Sequence, residues 1–453
     1  MKTARKISPI AIAVLTLCAA PLAFAYGDGG SVSAGVSGSQ LSTMNSQFSA
    51  FGSTNGAALD GNAGRNLSGN AGFNIASGSQ NQQDNSAALA SSKNRGQESA
   101  NASVGAGQVA YWNLAYQILD GSNSADFSGN ALRGASGNIG VNIAAGFLNQ
   151  QRNSMALSRA KHAETSYASA GNGQTMAGTF GLSLMNTASG SSNDTTLSGN
   201  AMRDTSGNIG VNEASGIGNQ QGNTLAVAIV NHGNKWSSAG AYAETGTGQS
   251  MYGNGSGQAG TLAESEKTEK FTLTRESNNV RLGGGNVLRN ASGNIGVNLA
   301  SGLNNQQANS LAVSVNQNRH SHYYGMAAAS AGAAQTMIYN GTVDLGVQDT
   351  AALSGNTARG AAGNIGLNVA SGAQNQQQNG LAIASLASRG AMGSACAPIE
   401  QSAFENVSMT MGSSYSASVS SNTLRNATGN IGLNVAAGNN NQQANTLAIS
   451  SVR

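Results

Sequence analysis

The side chains best suited to chemistry are His320 and His322. In His320-Ser321-His322-Tyr323 they alternate, so both imidazoles would share one strand face and could hold a metal or haem. The pair occurs once and has no nearby acid or Cys, so it reads as an exposed linker feature. Gly27-Asp28-Gly29-Gly30-Ser31 has the look of a protease nucleophile loop, but no His is paired with it, and it reads as flexible leader. Gly253 to Gly260 is glycine-rich without the strand-to-helix context of a phosphate loop. Asn290-Ala291-Ser292 and Asn426-Ala427-Thr428 match glycosylation sequons, which a chain so rich in Asn, Ser and Thr produces by chance. Cys396 is the one cysteine outside the first 25 residues, so no intrachain disulfide forms after their removal. None of these features converges with another, and no catalytic, cofactor or metal residue is assigned.

The dominant feature is instead a 29-residue block present six times, starting at Asn62, Asn130, Asn200, Asn286, Asn356 and Asn422. Thirteen of its positions are identical in all copies, and they are Asn, Gln, Gly, Ala and one Arg. An active site is built once from unlike groups. A repeat of amides and small residues serves stacking. A right-handed β-helix lyase would need a unique cluster of acids and bases on one coil, and none is visible.

Composition agrees. Only 9% of residues are charged and 5% aromatic, while 62 are Gly. Large side chains are too few to offset chain entropy in a conventional core, so either much of the chain is disordered or order comes from regular backbone pairing. The repeats favour pairing for the blocks and leave disorder open for the linkers. Lys2, Arg5 and Lys6, the apolar run Ile10 to Ala20 and the small residues Ala23 and Ala25 read as a signal peptide, 1–25. Its loss removes three of 22 basic residues and leaves 19 against 19 acidic ones. A nearly neutral chain predicts self-association rather than nucleic-acid binding.

Within the second block Asn138, Gly140, Asn142, Ala144 and Gly146 alternate with Ile139, Val141, Ile143 and Ala145. This period of two predicts a strand, with a turn at Gly146 and the next two residues. A second strand follows, with Asn149, Gln151, Asn153, Met155 and Leu157 on its interior face. Gln150, Arg152, Ser154 and Ala156 take the other face. The Arg152 position holds Asp84, Gly222, Ala308, Gln378 and Ala444 elsewhere, which reads as solvent exposure.

One strand-turn-strand unit is unstable alone, but six can stack. The fold expected is all-β: a repeat β-solenoid or cross-β stack of six such blocks with low-complexity linkers. Amide columns then run along the stack. They comprise Asn81, Gln82 and Gln83; Asn149, Gln150 and Gln151; Asn219, Gln220 and Gln221; Asn305, Gln306 and Gln307; Asn375, Gln376 and Gln377; Asn441, Gln442 and Gln443. Arg65, Arg133, Arg203, Arg289, Arg359 and Arg425 form a like-charged column with no invariant acid, which places them outside. There they are solvated, act as gatekeepers against lateral sheet association, or touch acidic polymers.

The organisation expected is a leader at 26–61, repeats at 62–90, 130–158, 200–228, 286–314, 356–384 and 422–450, and linkers at 91–129, 159–199, 229–285, 315–355 and 385–421. The linkers either add coils to the solenoid or loop out. The third is longest and charged around Glu264 to Lys270, and reads as a mobile excursion. The last block is as regular as the others, without a charged or proline cap, which favours open-ended assembly.

Gly137 to Asn153 (GNIGVNIAAGFLNQQRN) and Gly429 to Asn445 (GNIGLNVAAGNNNQQAN) resemble the repeats of the Fap functional-amyloid fibre subunits of pseudomonads, and more distantly those of curli. The resemblance implies a protein secreted to the surface of a Gram-negative bacterium through an outer-membrane export pore. It implies polymerisation with itself or related subunits into biofilm fibres, with matrix polysaccharide as a further partner. Two departures stand out: six repeats where that family typically has three, and a lone internal Cys396 where it ends in Cys-x-Cys. The alternatives are a monomeric β-solenoid surface adhesin and, on His320 and His322 alone, a haem- or metal-binding surface protein.

Overall fold

The computed structural model describes residues 22–25, 31–49, 54–92, 99–118, 121–161, 164–184, 192–231, 239–259, 262–264, 271–273, 276–317, 325–387 and 392–452. Their architecture is a β-solenoid of six rungs, each with strands in five sheets. The second rung is typical. It runs Ser99–Tyr111, Leu114–Ile118, Ser122–Phe127, Ser136–Phe147 and Gln150–Lys161. We name the corresponding sheets the Ala, short, closing, Asn-Gly and Gln sheets.

Every rung lies parallel and in register on the next. Asn138 sits between Asn70 and Asn208, and Gln150 between Gln82 and Gln220. Equivalent residues therefore form columns along the stack, and backbone pairing supplies the order that the sparse large side chains do not. The last two strands of a rung are joined by an arch, and they belong to different sheets. Leu148 takes a left-handed φ of 59° at this arch.

The linkers join the stack. Each provides the Ala, short and closing strands, so the repeating unit is linker plus block. The leader does the same for the first rung from Val32 onward, with Val32–Thr43, Ser46–Ser49 and Thr54–Leu59. Gly27 to Gly30 lie outside the described residues. The expected excursion at 229–285 is corrected for most of its length: Gly240–Tyr252, Gly255–Ala259 and Glu276–Gly283 occupy the same three sheets. Between them Leu262–Glu264 pairs antiparallel with Phe271–Leu273, and the charged residues 265–270 lie outside the described residues. Leu22–Ala25, inside the expected signal segment, lies parallel to Ala87–Ala90 at the first edge of the Gln sheet.

Three apolar columns fill the interior. Val141, Ile143 and Leu132 meet Phe127 and Leu197 between the Asn-Gly and closing sheets. Ala156, Ala160, Ala226 and Ala228 of the Gln sheet face Ala100, Ala102, Ala168 and Ala170 of the Ala sheet. Such small side chains let two sheets approach closely. At the arch, Phe147, Leu148 and Ile217 meet Met176 and Met251.

Candidate assembly interface

The arch side chains form three continuous amide ladders. In the Asn149 column, each Nδ2 donates to the Oδ1 one rung earlier: Asn149 to Asn81 at 3.1 Å, Asn219 to Asn149 at 3.0 Å, and Asn441 to Asn375 at 2.8 Å. The same amide donates to its own strand, to the Ala145 carbonyl in the second rung, and so braces the arch. The Gln150 column runs in the same sense, with Gln150 to Gln82 at 2.7 Å and Gln306 to Gln220 at 2.9 Å. Its neighbour runs the other way: Gln83 donates to Gln151 at 2.8 Å, and Gln377 to Gln443 at 2.9 Å. Gln151 also donates to the Ile143 carbonyl across the arch at 2.7 Å. Buried amides are costly unless bonded, and these columns satisfy them with copies of themselves.

All eighteen predicted amides stand in these columns. The same logic extends to Asn138, bonded to Asn70 at 2.6 Å, and to Asn153, bonded to Asn85 at 2.8 Å. Sequence reasoning missed an equivalent ladder in the linkers: Gln40, Gln108, Gln174, Gln249, Gln335 and Gln401, at 2.8 to 3.0 Å. Gln108 also donates to the Gln151 carbonyl, tying the Ala sheet to the Gln sheet. Five residues after each of these glutamines stands Asn45, Asn113, Thr179, Asn254, Asn340 or Asn406. These residues brace a second arch: the Asn254 amide N–H donates to Asn340 Oδ1 at 3.0 Å. The Ala-x5-Gln spacing, followed by x4-Asn in five of the six rungs, was the available signal.

Glycine is required where the ladders crowd. A Cβ on Gly210 would lie 2.4 Å from Asn153 Oδ1, and one on Gly216 (φ 100°) 2.3 Å from the Gly302 carbonyl oxygen.

The Arg152 position is corrected. In the second to fifth rungs it is buried between the Gln and Ala sheets, Arg152 being 0% exposed; in the end rungs Asp84 is half-buried and Ala444 exposed. Its tolerance to Asp, Gly, Ala and Gln reflects compensation from the facing sheet. Beside Gly222, Asn172 fills the space, its Nδ2 2.2 Å from where a Cβ would stand. Arg152 Nε pairs with Asp84 Oδ2 at 3.1 Å. Burial pulls its pKa down to about 10, against the opposing pull of Asp84. The interior face is also corrected beyond Asn153. Ser154, Ala156 and Ser158 are buried, whereas Met155 and Leu157 are half-buried. Met155 lines an axial groove of about 660 Å³ with Asn138, Gly140 and Asn153.

The arginine column follows the outer turn. Arg65 and Arg425 are exposed; Arg133, Arg203, Arg289 and Arg359 are half-buried. Arg203 pairs with Asp204 at 3.1 Å, and Arg289 donates to Asn286 at 3.3 Å. His320 and His322 lie outside the described residues, and Cys396 is exposed and free.

Three buried carboxyls interrupt the pattern. Glu213 replaces the apolar residue of the Ile143 column; burial pushes it well above the ordinary range, with Asp126 adding to the effect. Asp349 ends an Asn ladder through Asn123, Asn193 and Asn278, accepting from Asn278 at 2.7 Å. Burial raises Asp349 to about 7 and Asp344 to about 6.

The sequence matches the "Functional amyloid protein FapB/FapC family" over residues 33–230, 181–337 and 258–452. It is also similar to the functional amyloid subunit FapC of Pseudomonas aeruginosa, at 31% identity over 290 residues, covering 58% of this chain and 77% of that protein. No solved structure matches it.

Proposed function

This chain belongs to the functional amyloid FapB/FapC family, and from that premise we propose that it is the secreted, self-assembling subunit of an extracellular biofilm fibre. The observation that carries the reading is the continuity of the ladders to both ends of the stack. Asn441 and Gln442 donate backward to Asn375 and Gln376, which aims their own oxygens at the open end. The amides of Asn81 and Gln82 in a second copy would donate to those oxygens. The Gln443 column offers the reverse pairing with Gln83. Head-to-tail stacking thus continues every column without a new type of contact.

Removal of residues 1–25 would take Leu22–Ala25 off the Ala87–Ala90 edge, so that processing during export opens a face for addition. Passage through an outer-membrane pore follows from the same reading. The outward arginines limit side-to-side merging of stacks.

The test is seeded growth of the mature chain from denaturant, followed by thioflavin fluorescence and fibre diffraction. Reflections near about 4.7 Å and 10 Å are expected. Replacing Asn441, Gln442 and Gln443 together by Ala should slow or abolish elongation. Unchanged kinetics would remove the ladders from the assembly mechanism, and a chain that stays monomeric would leave the adhesin reading in place.

A further inference from the structure

The turn between the Ala and short sheets carries a set of exposed aromatic side chains. Tyr111, Trp112, Phe180, Tyr252, Tyr339 and Phe404 are 41 to 65% exposed. The chain has only two Trp, ten Tyr and nine Phe. Each of the last five rungs places at least one ring at this corner. Tyr252 and Tyr339 meet edge to face at 5.8 Å, and Tyr339 and Phe404 at 6.2 Å. Trp112 lies over Gly178, whose Cβ would stand 3.1 Å from Cδ2 and Cε3. Its indole is therefore supported from below and open on its outer side.

Trp112 and Tyr339 also occupy the left-handed position of the turn, with φ of 52° and 56°. A bulky residue is strained there. Gly178 and Gly253 fill the same position in two other rungs, so the turn forms readily with glycine. Trp112 and Tyr339 are kept against that backbone preference, as are Met44 and Glu405 in the two end rungs.

The ridge spans four rung steps, about 19 Å at the usual strand spacing, and is confined to one turn, its rings at the positions of Tyr111, Trp112 and Leu114. A stable protein partner needs about 800 Å² per side, which such a strip does not offer. A thin polymer fits it. Across residues 111–114, 177–180, 252–255, 338–341 and 404–407 the one charge is Glu405, so the polymer should be uncharged. Tyr and Trp combine an apolar face with a polar edge. That suits pyranose rings, which present C–H faces and hydroxyl rims and repeat along a β-linked chain at nearly the rung spacing.

We propose that this corner binds an uncharged linear polysaccharide, with successive sugar faces stacked on the aromatic ridge. The site lies within one chain, so it is independent of the fibre reading, and a fibre would multiply it.

The experiment uses the full mature chain with Trp236→Phe, leaving Trp112 as the fluorescent reporter. It is titrated with neutral β-linked gluco- and manno-oligosaccharides from disaccharide to octasaccharide, and with alginate. The expected result is a Trp112 shift with neutral sugars, tightening with length and levelling once the ridge is covered. Tyr252→Ser with Tyr339→Ser should weaken octasaccharide binding about tenfold, two ring contacts being involved. Circular dichroism and seeded growth should stay unchanged. Absence of binding, a preference for alginate, or equal binding by the double variant would overturn the proposal. Loss of fibre bundling in that variant without sugar binding would assign the ridge to a second copy instead.

Discussion

Arg152 Nε stands 3.1 Å from Asp84 Oδ2, one rung away, inside a column that is otherwise uncharged. The guanidinium is wholly enclosed, while the Asp84 side chain keeps 23% of its surface in solvent. The pair therefore links the first two rungs by charge, the one ion pair between rungs among the described residues.

Removing one partner should cost far more than removing both. Asp84→Ala leaves a buried cation alone, and about 3 kcal/mol of local stability should be lost. Adding Arg152→Ala should restore most of it. Hydrogen exchange of the first two rungs reads the difference, and additive losses would show that the two residues are uncoupled.

Acid should stabilise the fold. Asp344 and Asp349 titrate near 6 and 7 because burial disfavours their charged forms. A carboxyl whose folded pKa is raised adds most stability below its unfolded pKa, and that contribution is lost as pH climbs through the folded value. Denaturation midpoints should therefore fall between about pH 4 and 7. Asp349→Asn restores an amide to the Asn278 column and should flatten the upper part of that slope. An unaltered slope would place the titrating group elsewhere.

Two glycines should behave oppositely. Gly216→Ala sets a Cβ 2.3 Å from the Gly302 carbonyl oxygen at φ 100° and should prevent the third and fourth rungs from pairing there. Gly246→Ala meets nothing within 4 Å, and should be neutral or slightly stabilising in a strand. Limited proteolysis of the two variants makes the comparison.

Gln249 in the linker should matter as much as Gln221 in the block. Each links neighbouring rungs, Gln249 to Gln174 at 2.8 Å and Gln221 to Gln307 at 2.8 Å. Alanine at either strands buried amide groups, at about 2 to 3 kcal/mol. If denaturation showed Gln249→Ala to be near neutral, the linkers would be passengers on the block stack.

The blocks were legible because a ladder demands the same group in every layer, so Asn149 and Gln150 repeat as identities. The linker strands were not, because apolar and small columns accept many residues: the column of Tyr167 holds Asn101, Tyr242 and Ala328. Ala102, Gln108 and Asn113 carried the periodic signal through them, Ala and Gln in all six rungs and Asn in five, spread over twelve positions rather than gathered in a run. Arg152 was misplaced because variability along one strand was read without its partner sheet. Asn172 beside Gly222 shows that volume can be conserved between two columns while neither is conserved alone.

The senses of the amide columns bear on how the two ends of such a stack differ. Amides aligned one way sum their dipoles, as peptide groups do in a helix, and leave partial charges of opposite sign on the two ends. Here the Gln150 column donates toward the first rung and its neighbour, the Gln151 column, toward the last. Their moments largely cancel rung by rung. The Asn149, Asn138, Asn153 and Gln108 columns have no such opposed neighbour and all donate toward the first rung. The stack therefore keeps a polarity: an arriving chain meets mainly N–H donors at one end and mainly carbonyl oxygens at the other.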